Sequence, residues 1–166
     1  MSNKVFNVLF ICTGNSARSI LAEAILNQLG HGQFKAYSAG SHPAGQLNPY
    51  TLEILKRWDM PIEGLRSKRW DEFAAPGAPA MDFVFTVCDQ AAGEVCPVWP
   101  GQPILAHWGA PDPAKAKGDH DHVLQEFRNV GLLLRKRIEL MLALPIHKLE
   151  KLSLQHELQH IGKTSQ

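Results

Sequence analysis

An α/β domain built on a parallel sheet is what this chain of 166 residues predicts. Three observations carry that expectation. Short apolar runs alternate with longer stretches of helical spacing from residue 5 to residue 144. The first apolar run ends in a small polar loop that opens directly into a helix. No internal repeat, low-complexity segment or interdomain linker interrupts the order. Strands that alternate with helices are joined by right-handed crossovers, and the resulting parallel sheet is covered by helices on both faces.

The elements follow in order. Residues 5–11 are apolar enough for a buried strand, and 18–30 read as a helix that stops near Gly30. Residues 33–38 form the second strand, turned at Ala39-Gly40. A loop with Pro43, Gly45 and Pro49 leads to a helix at 49–59, where Leu52, Leu55 and Trp58 share one face and Pro61 closes the segment. Ser67 has the side chain of an N-cap for a short helix over 68–73. After an Ala/Pro/Gly-rich loop at 74–80, residues 81–87 give the third strand and 103–108 the fourth. Val123, Phe127, Val130, Leu134, Ile138 and Met141 then recur at helical spacing over 121–144, and Pro145 ends that helix. A last amphipathic helix, at 146–162, carries Leu149, Leu152 and Leu158. The division expected is a catalytic domain over 1–145 with a helical tail over 146–166.

Composition narrows the partners. A formal net charge of +1, from 17 Lys+Arg against 16 Asp+Glu, argues against a nucleic-acid partner. Nothing approaches a membrane-spanning length or a signal peptide. Three cysteines are an odd count that fits a reducing, cytoplasmic compartment better than a disulfide framework.

The loop after the first strand reads Cys12-Thr13-Gly14-Asn15-Ser16-Ala17-Arg18-Ser19. A strand that feeds a tight loop and a helix start makes an anion nest, because backbone N–H groups point inward and the helix dipole favours negative charge. A cysteine at its mouth is expected to have a lowered pKa and to be held as a thiolate nucleophile. Arg18 offers a planar, two-pronged donor to a tetrahedral oxyanion. The site lies at the carboxyl edge of the sheet, where active sites of such folds gather. Cys88 ends the third strand on that edge, and Cys96 follows eight residues on; their spacing lacks the paired pattern of a zinc site, so a redox role is preferred and no metal is expected. Asp112, held between Pro111 and Pro113, suits general acid work. His156-Glu157-Leu158-Gln159-His160 matches a zinc-protease pattern, but only six residues follow it, and solvated histidines on a surface helix are expected instead.

The Cys12–Ser19 run, Ser38-Ala-Gly40 and Asp112-Pro113 together resemble the low-molecular-weight protein tyrosine phosphatases. Thr86-Val-Cys88, Cys96-Pro97 and His107-Trp-Gly109 resemble, within that superfamily, the arsenate reductases that draw on thioredoxin or on glutathione and glutaredoxin. The resemblance implies a four-stranded parallel sheet, attack by Cys12, an oxyanion clamped by Arg18 and the amides of residues 13–19, a hydrogen bond from Ser19 to the sulfur, a loop fixed by Asn15, and protonation of the leaving oxygen by Asp112. It implies a relay in which Cys88 attacks Cys12 and Cys96 then attacks Cys88. No tightly bound cofactor is implied beyond a potassium ion behind the loop, beside Asn15, Glu23 and Ser38. Phosphatases of the family wall the pocket with aromatic residues; here Ala114-Lys115 follows Asp-Pro, and the 41–49 loop offers His42 and Pro43. The expected activity is therefore arsenate reduction, with phosphate monoester hydrolysis as the alternative.

Overall fold

The computed structural model describes residues 4–88 and 99–164. Its four strands are β1 (Phe6–Cys12), β2 (Phe34–Gly40), β3 (Phe83–Thr86) and β4 (Ile104–His107), in the spatial order β2-β1-β3-β4 and all parallel. Four α-helices accompany them: α1 (Arg18–Leu29), α2 (Pro49–Arg57), α3 (His120–Leu142) and α4 (Lys151–Ile161). Order and direction are those the alternating pattern predicts.

The central position of β1 explains its composition. It pairs with β2 on one side and β3 on the other, and Val8, Leu9, Phe10 and Ile11 are fully buried. A strand covered on both faces reads as a continuous apolar run. Each such side chain removed from water stabilises the fold by about 1.5–3 kcal/mol. Phe10 and Phe85 pack side by side on adjacent strands, and Phe85 stacks on Trp108 with ring centroids 4.0 Å apart. At the far edge β4 alternates instead, with Ile104 and Ala106 buried and Leu105 half-exposed. α1 buries Ile20, Leu21, Ile25 and Leu26, and α3 buries Phe127, Leu134, Ile138 and Met141.

Local chemistry sets the helix ends. Asn48 caps α2 by accepting from the Tyr50 amide, with Pro49 in the first turn, and α2 ends at Arg57 rather than 59. Asp59 follows in the left-handed region. Asp119 caps α3, which stops at Leu142, before Pro145. Two expectations are corrected. The short helix near 68–73 is a 3-10 turn over Trp70–Phe73, and Ser67 does not cap it: its hydroxyl donates to the Gly14 carbonyl and accepts from the Gly45 amide. The last helix breaks into a 3-10 turn (Ile146–Lys148) and α4, and its buried face is Leu154, Leu158 and Ile161, leaving Leu152 82% exposed. Docking on β4, not the leucine spacing alone, selects that face.

The end of β2 comes so close to the loop after β1 that a Cβ on Gly40 would lie 2.4 Å from the Thr13 carbonyl oxygen. That atom is backbone and cannot swing aside. Gly40→Ala is expected to cost about 1–3 kcal/mol, read as a lowered urea midpoint with an unchanged slope. An unaltered midpoint would show that the two segments separate freely.

Candidate active site

The loop between β1 and α1 is shaped from outside. The carbonyls of Cys12, Thr13, Gly14 and Ser16 accept from the amides of Ser41, His42, Ala44 and Asn48 respectively, at 2.8–3.3 Å. Thr51 and Ser67 add hydroxyl bonds to Ser16 and Gly14. A trans peptide points its N–H opposite to its C=O, so pulling these carbonyls outward turns the amides of Thr13, Gly14, Asn15 and Ala17 toward the cavity. The Asn15 amide accordingly donates to Cys12 Sγ at 3.3 Å. No side chain caps the start of α1, which leaves its first turn facing the same space.

Asn15 locks the turn. It is fully buried with φ +48°, a left-handed conformation that asparagine tolerates. Its Nδ2 donates to Ser19 Oγ (2.8 Å) and Ser38 Oγ (2.9 Å), and its Oδ1 accepts from the Lys68 amide (2.9 Å). Ser19 Oγ in turn lies 2.9 Å from Cys12 Sγ. The sulfur thus stands at the end of a run of polar contacts that crosses from β2 to α1.

The expectation of a lowered Cys12 pKa is corrected. Burial pushes this thiol above its ordinary value; the bonds from the Ser19 hydroxyl and from the Ser19 and Asn15 amides pull it down, but by less. Cys12 is 3% exposed. Arg18 reaches across the cavity: its Nη1 donates to the Ala110 carbonyl at 3.0 Å, and its Nη2 stands 3.7 Å from Asp112 Oδ2.

That arrangement joins the nest to the loop after β4. Cys12–Arg18, Cys88, Ala110–Asp112, Ala114 and Lys115 line one cavity of about 480 Å³. Asp112 Oδ1 caps the following 3-10 turn through the Ala114 amide (3.0 Å), so its carboxylate is held by the turn while facing Arg18. Cys88 is buried at the cavity wall, its sulfur 3.5 Å from Thr13 Oγ1. Among the described residues the lining holds no aromatic ring, and Lys115 is part of it. Cys96 lies outside the described residues.

Behind the loop the potassium expectation is answered by the donor set. Glu23 Oε1 accepts from Ser38 Oγ at 2.5 Å, and the ammonium of the buried Lys68 is 3.9 Å away, donating to the Arg66 carbonyl (2.8 Å). Burial pushes the Glu23 carboxyl up and the Lys68 ammonium down, while each partner's charge acts in the opposite sense on the other. Asn15 presents its amide nitrogen here, its oxygen being taken by the Lys68 amide. The residues do not fit a potassium ion, because the chain's own cation neutralises Glu23. Neither Lys68 nor Ser67, the latter read as a helix cap, carried a signal of this role in the sequence: they are brought to the loop only by β2 and the turn at 70–73. Among the described residues no cluster of His, Cys, Asp and Glu suits a metal, and His156 and His160 are exposed on α4.

Residues 7–155 match the family model for low molecular weight phosphotyrosine protein phosphatase, and the chain belongs to that family. It is 36% identical over 139 residues to the arsenate reductase of Halalkalibacterium halodurans, covering 84% of this chain and 95% of that protein. It is likewise 36% identical over 130 residues to that of Bacillus subtilis, covering 78% and 88%. Among solved structures, a thioredoxin-dependent arsenate reductase from Corynebacterium glutamicum matches with TM-score 0.55 at 28% identity, over 84% of this chain and 65% of the other. An arsenate reductase in the oxidized state matches with TM-score 0.65 at 26% identity, over 80% and 93%. The low-molecular-weight phosphatase from T. tengcongensis, 22% identical with TM-score 0.65 over 81% and 95%, shares the fold.

A raised thiol pKa has a direct readout. In phosphate-free buffer, alkylation of Cys12 by iodoacetamide should still be climbing above about pH 8.5, the value for free cysteine. Its sign for stability is fixed as well. The unfolded thiol loses its proton first, so stability falls as pH rises through that range. An alkylation rate that has levelled off by pH 6 would show a preformed thiolate.

Proposed function

We propose that this protein is an arsenate reductase, and the observation that carries the reading is a second buried thiol, Cys88, on the wall of the cavity that holds Cys12, in a pocket with no aromatic ring among the described residues. The names of the relatives support it. Arsenate has the size and charge of phosphate, so the amides of residues 13–19 and Arg18 suit either ion. Only arsenic(V) uses the extra thiols, by accepting two electrons.

In this reading catalysis belongs to residues 1–145, with 146–166 as an added element. The incoming dianion draws Arg18 off Asp112, and the freed carboxylate takes up the Cys12 proton. The sulfur bonds to arsenic, and the expelled hydroxide leaves as water with a proton from Asp112. Cys88 then attacks Cys12 Sγ. The S–As electron pair stays on arsenic, which departs as arsenite(III), and a Cys12–Cys88 disulfide remains. Cys96 attacks Cys88, frees Cys12, and leaves Cys88–Cys96 for an external dithiol. Thioredoxin is the preferred reductant, because one matching structure is named thioredoxin-dependent; glutathione with glutaredoxin is the other. Such chemistry requires a reducing compartment, which makes the cytoplasm the proposed location. No described helix is long and apolar enough to cross a membrane. Hydrolysis of small phosphate monoesters through phosphocysteine is the second reading, favoured by the Cys12, Arg18 and Asp112 frame alone.

Three measurements test this. Arsenate should consume NADPH when thioredoxin and its reductase are supplied. Cys12→Ser should abolish both arsenate turnover and ester hydrolysis, whereas Cys88→Ser and Cys96→Ser should each stop arsenate turnover, by at least about 100-fold, and spare esters. If both of the latter reduce arsenate normally, the relay through Cys88 and Cys96 is overturned; if the unaltered protein hydrolyses esters but does not turn over arsenate, the phosphatase reading replaces the reductase. Because Lys68 supplies the cation behind the loop, turnover and melting temperature should match in potassium and choline chloride of equal ionic strength; a potassium-specific gain would displace Lys68 from that role.

A further inference from the structure

Past residue 155, where the family match ends, the chain still makes specific contacts with the route to the pocket. Trp108 is fully buried, and its Nε1 donates to the Leu158 carbonyl at 2.9 Å. The His107 amide donates to Gln159 Oε1 at 3.2 Å, so α4 covers the free edge of β4 at its last residue. A Cβ on Gly162 would stand 2.1 Å from the His107 carbonyl oxygen, which means that the two backbones are in contact. The protease-like run at 156–160 thus has a docking purpose: the buried Leu158 accepts from Trp108, and the Gln159 side chain, at the surface, accepts from the His107 amide of β4.

Arg137 ties these parts together. It projects from α3 and is 5% exposed. Nη1 donates to the carbonyls of Trp108 (2.9 Å) and Gly109 (2.8 Å), while Nε and Nη2 donate to the Thr164 carbonyl (3.2 and 3.1 Å). One residue beyond Gly109 is Ala110, whose carbonyl holds Arg18; two beyond that is Asp112. Burial alone pushes the guanidinium pKa down. A charge desolvated there to bind three carbonyls is costly unless the bonds fix something.

We propose that Arg137 is a positioning residue and α4 a strut, which together hold the loop 108–112 so that Ala110 and Asp112 meet Arg18 at the pocket. This deepens the reading of Asp112 as the acid. A loop displaced by about 1 Å loses as much as 100-fold in a proton-transfer step, while the nest around Cys12 stays intact.

The test compares leaving groups in the full-length protein. Phenyl phosphate needs a proton on its departing oxygen; 2,4-dinitrophenyl phosphate does not. Arg137→Met and Gly162→Leu should each lower kcat for phenyl phosphate and for arsenate about 10- to 100-fold. The dinitrophenyl ester should fall less than about threefold, and Cys12 alkylation should be unchanged. Arg137→Lys, which keeps a donor, should lie between. Equal losses on both esters would reveal a merely structural role and overturn the proposal, as would no loss at all. Asp112→Asn separates the two failures. If it shows the leaving-group preference and Arg137→Met does not, the strut alone fails; if it shows none, the acid assignment fails and the strut with it. Should neither ester be hydrolysed, an unchanged arsenate kcat in Arg137→Met overturns the proposal.

Discussion

The outward pull on the carbonyls of the β1–α1 loop is the constraint on which the site depends. Four of them, at Cys12, Thr13, Gly14 and Ser16, are held by the segment from Ser41 to Asn48. Peptide planarity then leaves the amides no direction but inward. Without that outer layer a loop of small polar residues would satisfy its N–H groups with water and lose its concavity. Gly40, Thr51 and Ser67 belong to the same layer, since each presses on or bonds to the loop backbone. The anion site is therefore built as much by β2 and α2 as by the residues that line it.

Charge is distributed in keeping with this. Two cations flank the loop, Arg18 in front and Lys68 behind, and each faces a carboxylate, Asp112 and Glu23 respectively. Arg18 with Asp112 spans two loops that an oxyanion would bridge, so the pair is poised to exchange partners. Lys68 with Glu23 is buried and fixed, and it anchors Ser38 and, through it, Asn15. Burial pushes the Cys12 thiol above its ordinary value, against the pull of the hydrogen bonds from Ser19 and Asn15. The front pair is mobile in its chemistry and the back pair is structural.

Much of this was legible along the chain. The apolar run at β1, the helical spacing of α3 and the strand–loop–helix junction at Cys12 are local signals, because burial and backbone hydrogen bonding impose a period that a sequence displays. The caps were less so. Asn48 and Asp119 cap as their types suggest, yet Ser67, equally suited, turns to Gly14 because the loop lies within reach. α4 shows the same limit: its leucines permit more than one apolar face, and contact with β4 and Trp108 chooses Leu154, Leu158 and Ile161.

By itself, then, the sequence determined the parallel α/β order, the strand–loop–helix junction at Cys12, and the presence of Cys12, Cys88, Arg18 and Asp112 at one edge of the sheet. These are matters of pattern and strand direction, which need no distance. Tertiary structure alone decided that Arg18 rests on Ala110 and Asp112, that burial outweighs the hydrogen bonds of the nest in the direction of the Cys12 shift, that Lys68 stands beside Glu23 behind the loop, and that Arg137 binds the end of the chain past the last helix to the loop 108–112. Each of these depends on groups far apart in the chain whose desolvation and charge are fixed only when packing brings them within a few ångströms. No local spacing encodes that.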